Sequence, residues 1–70
     1  MASRIITFNT EISNSGEAVL RFTTEEESDI EVVFESQDIG NFAAVCAILN
    51  HSVVMYELVN DEPYFFSSNT

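Results

Sequence analysis

The sequence predicts an α+β fold, a small antiparallel β-sheet in the element order βββαββ with one α-helix packed on one face. Three observations predict it. Apolar and polar residues alternate before residue 36, the period of half-buried strands, and a segment rich in β-branched residues follows residue 51. Between them, Ile39 to Asn50 switches to apolar spacings of three and four, the period of a helix. Short runs such as SNSGE and NDEP join the segments as turns, so neighbouring strands read as hairpins. Seventy residues make one domain, 1–70, near the lower limit at which a single apolar core holds a chain folded without disulfides, metal or a partner subunit.

The first strand is read over Arg4 to Ile12, with Ile6, Phe8 and Ile12 on one side and Thr7, Asn9 and Glu11 on the other. The Gly-containing SNSGE turn leads to a second strand, Ala18 to Thr24, whose Ala18, Leu20 and Phe22 face one way. Glu25 to Ser28 is a second turn. Asp29 to Glu35 follows as a strand with Ile30, Val32 and Phe34 toward the core. Ser36 or Asp38 can cap a helix whose inward stripe is Ile39, Phe42, Ala43, Cys46 and Leu49. Asn50 suits a left-handed stop, with His51 beside the negative end of the helix dipole. Ser52 to Val59 is rich in β-branched residues and reads as a strand. NDEP turns the chain into a short last strand, Tyr64 to Ser67, where Pro63 suits a strand start or a sheet edge. A phenylalanine from almost every element (Phe8, Phe22, Phe34, Phe42, then Phe65 or Phe66) supplies one small aromatic core.

Charge narrows the function classes. Twelve acids face two arginines, Arg4 and Arg21, with no lysine, for a net charge of −10. Residues 1–21 balance Glu11 and Glu17 against both arginines, so the whole excess lies beyond them. Nucleic acid and anionic membranes both require cations at the contact, which argues against direct binding to either. A 46% apolar fraction and six phenylalanines argue against a disordered acidic tail. A single cysteine cannot form an internal disulfide, and no apolar run reads as a leader or a membrane span, so a cytoplasmic location is expected.

Catalysis finds little to build on. The only imidazole, His51, and the only thiol, Cys46, are five residues apart, about 140° around a helix axis, so they cannot share a site on that helix. Cys46 reads as a small core residue and His51 as a helix-end residue, so no catalytic residue is assigned. The consecutive Glu25, Glu26 and Glu27 diverge and lack the Gly and the acceptor spacing of a calcium loop. No metal and no cofactor is expected.

The acids themselves form the candidate site. Glu25, Glu26, Glu27, Asp29, Glu31, Glu35 and Asp38 are dense and unmixed with cations, unlike an ordinary solvated surface. Asp29, Glu31 and Glu35 are expected on one strand face at a pitch of roughly 6.6 Å per two residues, close to two base steps of a nucleic-acid strand. Such a row presents to a basic groove what a phosphate backbone would present. In charge and size alone, the chain resembles the small acidic inhibitors that phages and mobile elements direct against host nucleic-acid enzymes: anti-CRISPR, anti-restriction and DNA-glycosylase inhibitor proteins. That resemblance implies a basic nucleic-acid-binding protein as partner, met in a host bacterial cytoplasm.

The helix supplies a competing reading. It carries no charge from Ile39 to Asn50, and the face opposite its expected core stripe is Asn41, Ala44, Val45 and Ile48. A helix apolar nearly all round is covered on both sides. A homodimer or a partner protein seated on those four residues is the corresponding expectation, with the acids serving solubility.

Overall fold

The structure, a computed structural model, describes residues 2–68. Strands β1 (Ser3–Ile12), β2 (Ala18–Thr24) and β3 (Ile30–Phe34) precede a 3-10 turn (Ser36–Asp38) and helix α1 (Ile39–His51), and β4 (Val53–Val59) and β5 (Glu62–Ser68) close the chain. The strands form one antiparallel sheet in the spatial order β3-β2-β1-β4-β5. The α+β class and the βββαββ order are as the sequence predicts.

β1 is the strand on which the sheet bends. Among the described residues it pairs with β4 at Ser3 and Arg4, and with β2 from Ile5 to Ile12. Between Ile5 and Thr7 the register slips by one residue, a bulge that turns Ile5 inward opposite Thr24 and leaves Ile6 out. The inward set in β1 is therefore Ile5, Phe8, Thr10 and Ile12, not one beginning at Ile6. Phe8 and Ile12 share a face with the buried Phe22, Leu20 and Ala18 but stay exposed.

The curl brings together strands that are not neighbours in the sheet. The Phe22 ring of β2 meets Tyr56 of β4 at 4.9 Å and Phe65 of β5 at 5.5 Å, although β1 lies between them in strand order. Ile5, Leu20, Phe22 and Val54 are the buried centre, and Phe34 stacks edge-on against Phe42 of the helix at 5.5 Å. Tyr56 thus takes the aromatic place in the core that the sequence reading gave to Phe8.

Helix α1 lies against β3, β4 and β5, and it is rotated from its expected setting. Phe42, Val45, Ile48 and Leu49 pack on the core, while Ala43 is exposed. The branched Val45 and Ile48 bury more apolar area than Ala43 and Cys46 would, so the bulkier stripe wins. Of the four residues expected on the outer face, only Asn41 and Ala44 are exposed; Val45 and Ile48 are part of the fold's own packing.

Caps also differ from expectation. No side chain caps the helix start. At the other end Asn50 stays helical and donates from Nδ2 to the Cys46 carbonyl, and Ser52 stops the helix: its extended backbone N–H and its hydroxyl both donate to the Ile48 carbonyl. The last hairpin is tighter than NDEP suggests. Only Asn60 and Asp61 turn, both at positive φ (52° and 65°) between the paired Val59 and Glu62, a type I′ geometry matching strand twist. Pro63 therefore lies inside β5.

Candidate acidic interface

β2 and β4 both run antiparallel to β1, so they run parallel to each other and end at the same end of the sheet. The turns that follow them, Glu25–Asp29 and Asn60–Asp61, therefore sit at one end of the molecule. That end gathers six carboxylates: Glu25, Glu26, Glu27, Asp29, Asp61 and Glu62. None of the six is in an ion pair among the described residues.

Thr24 organises the first of these turns. Its backbone N–H donates to the Glu27 carbonyl (2.8 Å), and its buried hydroxyl donates to the same carbonyl while accepting the N–H groups of Glu26 (3.2 Å) and Glu27 (3.0 Å). The Glu25 N–H donates to the Arg4 carbonyl, tying the turn to the start of β1. With the backbone inside satisfied, the three glutamate side chains are turned out to solvent. Asp29 then takes a left-handed φ of 58°, which a short polar side chain tolerates, and redirects the chain into β3. The Glu26 side chain accepts a hydrogen bond from the Ser3 hydroxyl at 3.2 Å.

Between the Glu25–Asp29 turn and β4 lies a hollow of about 190 Å³ lined by Ser3, Thr24, Glu26, Glu27, Tyr56 and Leu58 among others. Burial raises the Tyr56 phenol above its ordinary value, and the Glu27 carboxylate adds to the shift. The end is thus an acidic rim around a small, partly apolar floor.

The other acids expected to share this surface do not. Glu31 lies on the sheet face away from the helix, opposite Arg21, and accepts from its Nε at 3.0 Å. Glu11 accepts from Nη1 of the same arginine at 2.9 Å, and the Glu11 hydrogen bond is the main cause of the raised Arg21 pKa. Glu35 lies at the far end beside Glu17 of the SNSGE turn and accepts from Gln37 Nε2, and Asp38 ends the 3-10 turn that follows it. The seven residues singled out from the sequence are therefore divided: Glu25, Glu26, Glu27 and Asp29 at one end, Glu31 in the middle and paired, Glu35 and Asp38 at the other. The evenly pitched row fails because β3 spans only Ile30–Phe34, leaving Asp29 and Glu35 outside the strand. Asp61 and Glu62 are the additions. The run NDE holds two acids, but their neighbourhood with Glu25–Asp29 follows only from strand order.

Among the described residues no group of three His, Cys, Asp or Glu side chains is arranged to hold a metal ion, and no helix is long and apolar enough to cross a membrane. Cys46 is half-buried, and burial raises its thiol pKa, which keeps it in the protonated, poorly nucleophilic form. His51 is exposed at the helix end. Asn41, Ala44 and Val45 line a second, more apolar groove of about 400 Å³ with Phe34, Pro63, Tyr64 and Phe65, and Ile48 does not reach it.

Compared with known proteins, the chain matches no family model, no curated protein and no solved structure.

Proposed function

We propose that this chain is a binding protein that offers nucleic-acid-like negative charge to a basic, nucleic-acid-binding surface of another protein and so excludes the natural ligand. One observation carries the reading: two hairpin turns bearing six carboxylates lie toward the same end of the sheet, and among the described residues none of the six is ion-paired, whereas Arg21, which shares a hollow with Asp29, is paired with Glu11 and Glu31. Such an acid-rich end, where Arg4 at the start of β1 is the nearby cation, repels nucleic acid and attracts the lysine- and arginine-lined groove that binds it, speeding encounter over distances of a Debye length. The role fits a phage or mobile-element inhibitor of the anti-CRISPR or anti-restriction kind, acting in a bacterial cytoplasm. No cofactor and no catalytic group enters the reading.

The test is affinity capture from bacterial lysate with the wild type beside a folded Glu25→Gln, Glu26→Gln, Glu27→Gln, Asp29→Asn variant, eluted with duplex DNA. The expected result is a nucleic-acid-binding protein retained by the wild type alone and displaced by DNA. Equal retention by both proteins, or retention insensitive to DNA, overturns the reading.

A second reading, an assembly module using the helix face, is favoured by the apolar groove at Asn41, Ala44 and Val45. Ala44→Asp tests it, since Ala44 is exposed and Ile48 is needed by the core. Loss of association together with loss of function in that variant, with the amide variant silent, would favour this reading over the first.

A further inference from the structure

The two edges of the sheet are defended unequally. β3 is short, and Asp29, Glu31 and Glu35 stand in or beside it, the usual device against unwanted strand pairing. β5 has seven residues, and only its first two, Glu62 and Pro63, discourage pairing; Tyr64, Phe65, Phe66, Ser67 and Ser68 are uncharged. Tyr64 is 50% and Phe66 43% exposed, both on the sheet face away from the helix. Helix α1 does not close this edge, because the groove beside Pro63, Tyr64 and Phe65 remains open.

The tight turn fixes which backbone groups of β5 are free. In a two-residue hairpin the closing pair, here Val59 and Glu62, exchanges both hydrogen bonds, and bonded and non-bonded pairs alternate from there. Tyr64 and Phe66 then bond to β4, while Pro63, Phe65 and Ser67 turn their backbone groups outward. Pro63 has no N–H, and it occupies one of the positions where none is needed for β4.

We propose that β5 is a dimerisation edge, at which a second copy of this chain pairs its own β5 antiparallel about a two-fold axis at Phe65, making one sheet from two. The occupant is chosen by register and by charge. About that axis the two Phe65 residues exchange both backbone hydrogen bonds, and each Ser67 N–H donates to the Pro63 carbonyl of the second copy. Tyr64 falls opposite Phe66 of the second copy in a non-bonded pair, where side chains approach most closely. Glu62 falls opposite Ser68, so no acid meets an acid. A basic partner is drawn to the acidic end instead, and the uncharged stretch from Tyr64 to Ser68 offers it no charge. Tyr64 and Phe66 together leave roughly 200 Å² to be covered per copy, well below the ~800 Å² of a standard interface, so the dimer is reversible.

This inference is independent of the acidic-interface reading, and salt separates the two. Two copies that each carry −10 associate more tightly as salt screens their repulsion, whereas a basic partner is released. Sedimentation equilibrium of the full chain, from micromolar to millimolar concentration and at low and high salt, is run beside a Tyr64→Thr, Phe66→Thr variant, which keeps strand-forming residues at two exposed positions. Twice the 7.8 kDa chain mass is expected at high concentration, more so in salt, with the variant associating at least about tenfold more weakly. Amide exchange of the wild type gives a readout that does not depend on the variant's folding: Phe65 and Ser67 gain protection with concentration, while Tyr64 and Phe66 are protected throughout. A 7.8 kDa mass at every condition, a dimer untouched by the substitutions in a folded variant, or Phe65 and Ser67 protection independent of concentration overturns the proposal.

Discussion

Leu20→Ala measures how much of this fold depends on its small centre. Leu20 is fully buried (0% exposed) in β2, between Thr10 of β1 and Val32 of β3. Only Ile5, Ala18, Leu20, Phe22 and Val54 are buried apolar residues among those described, so few side chains remain to collapse into the space left behind. Removal of a leucine side chain from such a site costs about 3 kcal/mol. At about 0.05–0.15 kcal/mol per residue, a domain of this length holds roughly 3.5–10 kcal/mol in total. With an unfolding entropy of about 2.1 cal/mol/K per residue, the loss lowers Tm by about 20 °C. Urea denaturation followed by circular dichroism, at low protein concentration so that association does not contribute, reads the difference. Leu58→Ala is the control: at 55% exposure it should cost under about 1 kcal/mol. If Leu20→Ala falls within about 1 kcal/mol of wild type, or Leu58→Ala costs as much as Leu20→Ala, the burial pattern described above is wrong.

Three further predictions follow from the hydrogen bonds and charges. Thr24→Val keeps the side-chain volume but leaves the Glu26 and Glu27 N–H groups without their acceptor, and should cost about 1–2 kcal/mol by urea denaturation. Arg21→Gln leaves Glu11 and Glu31 without their shared cation, so its Tm should fall below that of the wild type at low salt, with the gap narrowing as salt is added; a gap that widens with salt contradicts the pairing. The Tyr56 phenol is raised in the folded state by burial and by Glu27, so the folded protein holds its proton more tightly than the unfolded chain. The corresponding stability is present below the unfolded pKa of about 10 and is lost as pH rises through the folded value. Tyr56→Phe should lose that part of the alkaline sensitivity, and Glu27→Gln should lower the pH at which tyrosinate absorbance of Tyr56 develops.

Much of this fold was legible because its strands keep their period. β2 shows an unbroken alternation, and its bounds, Ala18–Thr24, are those read from the sequence. β1 was legible as a strand but not in its facing, because a bulge at Ile6 leaves no mark in a segment where Ile5 and Ile6 are equally apolar. The helix was legible in extent, whereas its rotation was not: apolar residues surround it, and only packing against Phe34 and the buried centre selects Phe42, Val45 and Ile48 over Ala43. Pro63 lies near the start of an edge strand, as its type suggests, whereas the NDEP turn was read two residues too long because Glu62 and Pro63 are paired in β5.

The acidic site was half legible. A run of glutamates between two strands is visible in one dimension, and its turn is held as such by Thr24. The separation of Glu35 and Asp38 from it, and the arrival of Asp61 and Glu62, depend on strand directions that local residues do not encode. The same holds for Arg21, whose place opposite Glu31 and diagonal to Glu11 is a matter of register.

The location of the acids, rather than their number, is what the proposed function depends on. The most direct measurement compares affinity for the captured basic protein among the wild type, a near-end variant (Glu26→Gln, Glu27→Gln, Asp29→Asn) and a far-end variant (Glu17→Gln, Glu35→Gln, Asp38→Asn) of identical net charge. The near-end variant should bind at least about tenfold more weakly and with a shallower salt dependence, and the far-end variant within about twofold of wild type. Equal losses in the two variants, or a loss confined to the far end, would contradict an interface at the Glu25–Asp29 and Asn60–Asp61 turns.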